Sequence, residues 1–115
     1  MRQIVMVGFL QAQNCTNLVS SWRHPDSRTD TFRPDYYRRI GQVLEAGKFH
    51  MGFFDDRLAM PDRMGGDHAH TVKYGIRCVK LDPVAVLMTM GMATERLGLG
   101  ATCSTTYYEP FHVAR

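Results

Sequence analysis

Hydroxyl side chains and apolar side chains alternate near the C-terminal end of the sequence. In residues 99–104 the odd positions are apolar, and the even positions are Gly100, Thr102 and Ser104. Alternate side chains of a strand point to opposite faces, so one face of a strand here would end in hydroxyls. A buried parallel strand is expected to be apolar nearly throughout, so hydroxyls at its carboxyl end favour a face that meets a ligand. Threonine is also a good strand former whose hydroxyl can bond to the backbone, and the strand by itself leaves both interpretations open.

A carboxylate occupies a comparable place in the middle of the chain. Asp55 and Asp56 stand at the end of a second predicted strand, and Asp56 would share a strand face with Gly52 and Phe54. A carboxylate at this end of a parallel strand can accept a hydrogen bond from a ligand. The alternative is an ordinary role as an acceptor for loop or helix-cap N–H groups, which is at least as common.

The histidine and cysteine pattern does not predict a metal site. His68 and His70 are separated by one residue in a glycine-rich stretch, and no third ligand accompanies them. The three cysteines, Cys15, Cys78 and Cys103, are widely spaced and form no C-x-x-C pair. An odd number at such spacings argues against a disulfide framework and fits a reducing cytoplasm.

Composition excludes several classes of function. The 115 residues are 44% hydrophobic and 22% charged, which is ordinary for a globular domain. The formal charge of +3 is small and the arginines are scattered, so no nucleic-acid partner is expected. No apolar run approaches the ~20 residues that a membrane-spanning helix requires, and we expect no membrane partner. The apolar residues 4–10 are predicted to be a buried strand instead of a signal peptide.

The periodicity predicts strands that alternate with helices. A helix that begins at Pro34 or Asp35 and ends at Ala46, with Gly47 at its C′ position, follows the first strand. Asp82 and Pro83 form an N-cap and first-turn pair for a later apolar helix. The predicted order is strand 4–10, helix 34–46, strand 49–55, helix 84–97 stopped by Gly98, strand 99–104, and a helix that starts at Pro110. Such alternation indicates right-handed crossovers, a parallel sheet and an α/β fold.

Connection lengths indicate where a ligand would bind. Segments 11–33 and 57–81 follow predicted strands and exceed the ~12–15 residues beyond which structureless loops become uncommon. The helix-to-strand connections are very short. Long segments therefore gather at the carboxyl ends of the strands, which is the ligand-binding side of parallel α/β folds.

Several blocks of the sequence, in this order, resemble the N-terminal part of bacterial-luciferase-like flavin-dependent monooxygenases. The resemblance is narrowest to the subgroup of nitrilotriacetate, dibenzothiophene-sulfone and long-chain alkane monooxygenases. The matching blocks are Gly8-Phe9, Asn14, Trp22-Arg23-His24-Pro25, residues 45–49, Phe53-Phe54-Asp55-Asp56, Asp82-Pro83, residues 98–107 and residues 109–115.

The resemblance implies an eight-stranded TIM barrel that binds reduced FMN at its carboxyl face and uses O2 to insert one oxygen atom into a small organic substrate. It implies flavin contacts for Asp56 and Thr102, and a place in the same pocket for Asn14, Ser104 and Tyr107. It identifies no catalytic residue. It also implies a separate NAD(P)H-dependent flavin reductase as partner and a homo-oligomeric full-length protein.

The sequence departs from the family pattern at two places. Relatives often have a small residue where this chain has Asp55, and Arg57 adds a further charge beside it. Cys15 falls a position or two from the cysteine of long-chain alkane monooxygenases, so an alkane substrate is not indicated. The flavin-phosphate contacts of the family come from later strands that these residues do not include.

A barrel of this kind needs about 250 residues, and these 115 residues supply about three β/α units of it. We therefore expect residues 1–115 to be the N-terminal portion of one barrel domain, cut at the start of its third helix and inactive alone. Two alternatives stay open. The chain could be a non-catalytic α/β remnant that acts by self-association through an open sheet edge, or part of a related barrel that uses another flavin-type cofactor, such as a deazaflavin.

Overall fold

The structure, a computed structural model, describes residues 3–11, 21–62 and 66–114. Its elements alternate as the sequence predicts, with one short additional helix. In chain order they are β1 (Val7–Gln11), a 3-10 turn (Ser21–Arg23), α1 (Pro34–Ala46), β2 (Met51–Asp55), α2 (Ala69–Tyr74), α3 (Pro83–Gly91), β3 (Gly98–Ala101) and α4 (Pro110–Ala114).

The three strands form one parallel sheet in the order β1-β2-β3. Phe53 at the centre of β2 is level with Phe9 on β1 and with Gly100 on β3. Each neighbouring pair is joined through a helix, so the predicted α/β arrangement with a parallel sheet is confirmed.

Helices α1 and α3 cover one face of this sheet. Phe54 and Met90 are fully buried between these layers. Glycine on the sheet allows the helices to approach closely, because a Cβ on Gly52 would lie 3.0 Å from the Met90 Cε atom. Among the described residues, six hydrophobic side chains are buried in the core: Tyr37, Phe54, Val86, Leu87, Met90 and Leu97.

The opposite sheet face carries Phe9 and Phe53. Their rings stack with centroids 6.0 Å apart. The Phe9 side chain is 63% exposed, so this apolar face is open to solvent among the residues that the structure describes. In a closed barrel the corresponding face points inward.

Strands β1 and β2 begin later than the sequence predicts. The Met6 carbonyl oxygen accepts from the His50 N–H, and the Met6 N–H donates to the His50 side chain at Nδ1. Val7 is the first residue paired with β2, and Ile4 is 84% exposed. The Phe49 N–H donates to the Leu44 carbonyl oxygen, so Phe49 belongs to the turn that ends α1 and not to β2.

The turn after α1 also differs from the prediction. Gly47 has a φ of −74°, and the left-handed residue is Lys48, with a φ of 60°. A positive φ at lysine is uncommon.

Helix α3 begins as predicted, since the Asp82 side chain accepts a hydrogen bond from the Val84 N–H at 2.8 Å. It ends at Gly91 and not at Leu97, because the backbone N–H groups of residues 95–97 donate to the Glu45 carboxylate instead of continuing the helix. Glu45 Oε1 accepts hydrogen bonds from the backbone N–H groups of Glu95 (2.9 Å), Arg96 (2.6 Å) and Leu97 (3.0 Å). These donors, first that of Arg96, hold the pKa of Glu45 below its ordinary value.

Strand β3 is shorter than the predicted strand and begins one residue earlier. Gly98 is its first residue and donates to the His50 carbonyl oxygen at 2.9 Å. Thr102 and Ser104 therefore lie just past the carboxyl end of β3 and not within it. No described helix is long and apolar enough to cross a membrane.

Candidate functional site

The long connections of the chain follow the carboxyl ends of β1 and β2. Segment 12–33 follows β1, and segment 56–82, which contains α2, follows β2. The connections at the opposite edge, 47–50 and 92–97, are short. The predicted asymmetry is therefore present, and it places the candidate site where β2 and β3 end.

A cleft of about 800 Å³ opens at this edge. Its walls are the segment after β2 (residues 56–61), residues 76–77 from the stretch before α3, and Ser104 with Tyr107 after β3. Its volume falls within the ~300–1,000 Å³ of typical ligand pockets. The cleft thus brings together Asp56, Ser104 and Tyr107, three of the five residues singled out from the sequence.

Asp56 is partly exposed and forms the side of the cleft nearest β2. The Tyr108 hydroxyl donates to Asp56 Oδ2 at 3.4 Å. The negative charge of Asp56 raises the pKa of Tyr108, because it disfavours a second negative charge close by. The carboxylate therefore anchors the short connection after β3.

Lys80 braces the segment after β2 from behind. Its ammonium donates to the carbonyl oxygens of Arg57 and Ala59, the latter at 3.2 Å. Burial lowers the pKa of Lys80, and the charge of Asp56 partly opposes that effect. One side chain therefore binds two carbonyl oxygens of an otherwise irregular segment.

Asp55 has a different role from its neighbour. It lies on the sheet face opposite to that of Phe54, where Gln11 Nε2 donates to its Oδ2 at 3.1 Å. Arg57 Nε lies 3.3 Å from the same oxygen. The Asp55 side chain is 18% exposed, so its charge is neutralised at the sheet edge.

Thr102 continues the ladder one step beyond β3. Its N–H donates to the Phe54 carbonyl oxygen at 2.9 Å, and the residue is exposed. Thr102 does not line the cleft, whereas Ser104, two positions later, does line it. Asn14 lies outside the described residues.

Three residues at this edge had no role in the sequence prediction: Ile76, Arg77 and Lys80. The stretch that contains them follows Gly75, whose φ of 63° reverses the chain after α2. Its only sequence signal is that glycine. Lys80 has no periodic pattern that would place it beside a particular loop.

The histidines considered as metal ligands have other contacts. His68 Nδ1 lies 3.3 Å from the Pro61 carbonyl oxygen, and the His70 ring lies 4.6 Å from that of Tyr74. Within residues 3–11, 21–62 and 66–114, no three His, Cys, Asp or Glu side chains converge on one point.

The residues at the edge fit a planar, heteroaromatic, hydrogen-bonding ligand such as a flavin. The cleft offers a carboxylate acceptor at Asp56, a hydroxyl at Ser104 and an aromatic ring at Tyr107. A flavin ring system presents N–H donors along one edge and broad apolar faces, so this donor and acceptor set matches it in kind.

Similarity searches relate the chain to named enzymes. It is 44% identical over 115 residues to a dibenzothiophene-sulfone monooxygenase of Rhodococcus erythropolis. This match covers 99% of this chain and 25% of that protein. It is 36% identical over 98 residues to an N-acetyl-S-(2-succino)cysteine monooxygenase of Bacillus subtilis (strain 168), covering 84% of this chain and 20% of that protein. The chain spans about a quarter of the length of these relatives. No family model matches it.

Solved structures agree with these relatives. A crystal structure of a long-chain alkane monooxygenase superimposes with a TM-score of 0.89 at 26% identity, over 100% of this chain and 27% of that one. The structure of a riboflavin lyase with modified FMN and riboflavin superimposes with a TM-score of 0.85 at 30% identity. The match covers 99% of this chain and 26% of that one. The predicted fold class, an α/β segment of a TIM barrel with about three β/α units, is confirmed.

Proposed function

The chain belongs to the luciferase-like monooxygenases, and we propose from this that it forms part of the reduced-FMN site of a two-component monooxygenase. The enzyme would use O2 to insert one oxygen atom into a small organic substrate. In this proposal residues 1–115 are the N-terminal portion of a single barrel domain and have no activity alone.

One observation carries the proposal. The cleft at the carboxyl ends of β2 and β3 is bounded by Asp56, Ser104 and Tyr107, which the family resemblance assigns to the flavin pocket. Ligands of parallel α/β folds bind at this edge. The relatives named above are monooxygenases, and one structural neighbour was solved with modified FMN.

The bound flavin would supply the chemistry by reacting with O2 in its reduced form. Asp56 would accept a hydrogen bond from the flavin ring and so fix its orientation, while Tyr108 holds that carboxylate in place. Thr102 would contact the flavin from the end of β3. Asn14, Ser104 and Tyr107 would line the pocket and help to exclude water, which protects reactive species from unproductive hydrolysis.

The proposed enzyme would need a reductase and an organic substrate as partners. An NAD(P)H-dependent flavin reductase would deliver reduced FMN, and the organic substrate would enter the same cleft. The full-length protein would be a cytoplasmic homo-oligomer. The names of the relatives as monooxygenases support the enzyme class, and the choice of reductase and substrate rests on the resemblance alone.

The test uses the native polypeptide that contains residues 1–115, titrated anaerobically with reduced FMN. Asp56→Ala and Thr102→Val should each weaken binding about tenfold, the loss expected for one hydrogen bond to a bound ligand. Asp62→Ala and Thr105→Val are matched controls, since both residues are exposed, neither lines the cleft, and the family resemblance assigns neither of them a flavin contact. Unchanged affinity in both test variants would remove these residues from the flavin site. A parallel titration with a reduced deazaflavin tests the alternative cofactor, because tighter binding of the deazaflavin than of reduced FMN would favour that alternative.

A further inference from the structure

Two arginines line the candidate cleft. Arg57 lies on the wall formed by the segment after β2, and Arg77 lies on the wall before α3. Asp56 is the one carboxylate among the described lining residues, and Arg57 is ion-paired with Asp55, which stands outside the lining. A flavin ring system is neutral or singly anionic and, in this proposal, is met by Asp56. Neither arginine has a part in the proposed flavin contacts, and a second ligand group would account for the presence of both at this cleft.

Arg57 is held in place at both its ends. Its Nε lies 3.3 Å from Asp55 Oδ2, and Asp55 is fixed in turn by Gln11 of β1 at 3.1 Å. Its backbone carbonyl oxygen accepts from Lys80. A guanidinium has five N–H donors in a rigid fork, and the contact with Asp55 is made through Nε. The Arg57 side chain is half exposed, so the fork is both oriented and reachable from the cleft.

Arg77 is placed by an unusual backbone conformation. Its φ is 52°, in the left-handed region that a non-glycine residue seldom adopts. Backbone strain of this kind clusters at ligand clamps and active sites, where surrounding structure maintains it. Arg77 lines the same cleft as Arg57.

We propose that Arg57 and Arg77 together recognise an anionic group of the organic substrate, a carboxylate or a sulfur oxyanion, with Asp55 acting as the residue that positions Arg57. This inference rests on the proposed function, because it assigns the substrate class of the same site. Arginine suits the role, since its planar fork pairs with two oxygens of an oxyanion at once.

The phosphate of FMN offers the same oxyanion chemistry, and the experiment must separate the two sources. The native polypeptide is dialysed anaerobically against radiolabelled benzoate or benzamide, with and without reduced FMN. The two probes share one skeleton and differ in charge. The affinities for reduced FMN and for reduced riboflavin, which lacks the phosphate, are measured beside them.

Arg38→Gln is the matched control for Arg57→Gln. The Arg38 side chain is 52% exposed and lies 3.4 Å from Asp35 on α1, and the Arg57 side chain is 50% exposed with an ion pair of 3.3 Å. The wild type should prefer benzoate about tenfold over benzamide. Arg57→Gln and Arg77→Gln should reduce that preference to about twofold, and Asp55→Asn to an intermediate value, while Arg38→Gln keeps it.

Three results would overturn the proposal. The first is equal binding of the two probes to the wild type, or binding of neither at millimolar concentration. The second is an equal loss of preference in Arg38→Gln. The third is a fall in affinity of Arg57→Gln for reduced FMN but not for reduced riboflavin, which would assign the arginine to the flavin phosphate.

Failure of the proposed function would look different. A wild type that binds no reduced flavin, yet prefers benzoate through Arg57, would keep the anion site and refute the flavin enzyme.

Discussion

The side chain of Met90 determines how firmly α3 is held behind the candidate site. Met90 is fully buried, and its Cε atom lies against Gly52 of the strand that ends at Asp55. Met88, two positions earlier on the same helix, is 62% exposed. The pair offers the same substitution, methionine to alanine, once in the core and once on the surface.

The expected cost of Met90→Ala follows from the atoms removed. Three heavy atoms beyond Cβ leave the core, at about 0.8 kcal/mol each, and the residual cavity raises the total to about 3 kcal/mol. Met88→Ala should cost less than about 0.5 kcal/mol, as surface substitutions usually do.

Hydrogen exchange read by mass spectrometry on the native polypeptide measures this cost locally. Amides of α3 and β2 should exchange about a hundredfold faster in Met90→Ala, since 1.4 kcal/mol corresponds to tenfold in an equilibrium constant. An acceleration below about threefold, or an equal one in Met88→Ala, would refute the assignment of Met90 to the core.

Three further predictions concern the edges of the sheet. Gly98→Ala should destabilise the protein, because the new Cβ would lie 2.8 Å from the His50 carbonyl oxygen, and a lowered urea midpoint would show it. The stabilisation from Glu45, whose folded pKa is lowered, is present above the ordinary glutamate pKa and is lost as pH falls through the folded value. The difference in urea midpoint between wild type and Glu45→Gln should therefore shrink on acidification below about pH 4. Asp56→Asn should lower the pKa of Tyr108 toward its ordinary value, seen as earlier phenolate absorbance in an alkaline titration.

Each of these has a result that contradicts it. A Gly98→Ala variant as stable as wild type would mean that the strand shifts freely at that point. A stability difference between wild type and Glu45→Gln that is the same at acidic and neutral pH would deny the carboxylate its charged role. An unchanged titration of Tyr108 would place its hydroxyl away from Asp56.

The sequence predicted the parts of the fold that depend on local pattern. The N-cap at Asp82, the start of α1 at Pro34 and the alternation of strands with helices all follow from capping chemistry and hydrophobic period. The carboxyl edge could be located in advance, because connection length alone distinguishes the two edges of the sheet.

Features that depend on long-range contacts could not be predicted. The early end of α3 is caused by Glu45, which lies 50 residues from the first N–H that it binds. Helical propensity alone would have continued α3 to Leu97. Ile4 lies outside β1 because β2 offers it no pairing partner. The start of β1 therefore depends on where β2 begins, and the residues around Ile4 do not contain that information.

The candidate site shows the same division. The sequence predicted a ligand contact for Asp56, which lines the cleft, but nothing local predicted that Lys80 would bind the segment beside it. Asp55 interrupts the usual family pattern by adding a second carboxylate. In the folded chain that charge is paired with Gln11 and Arg57 on the opposite sheet face, and the two adjacent aspartates do not compete for one role.

The most direct test of the central claim is an anaerobic titration of the native polypeptide with reduced FMN, followed by the absorbance and fluorescence of the flavin. We predict saturable binding that weakens about tenfold when Asp56 is replaced by alanine and is retained when Asp62 is replaced. Absence of binding by the wild-type polypeptide would contradict the assignment of this cleft to a flavin-dependent monooxygenase.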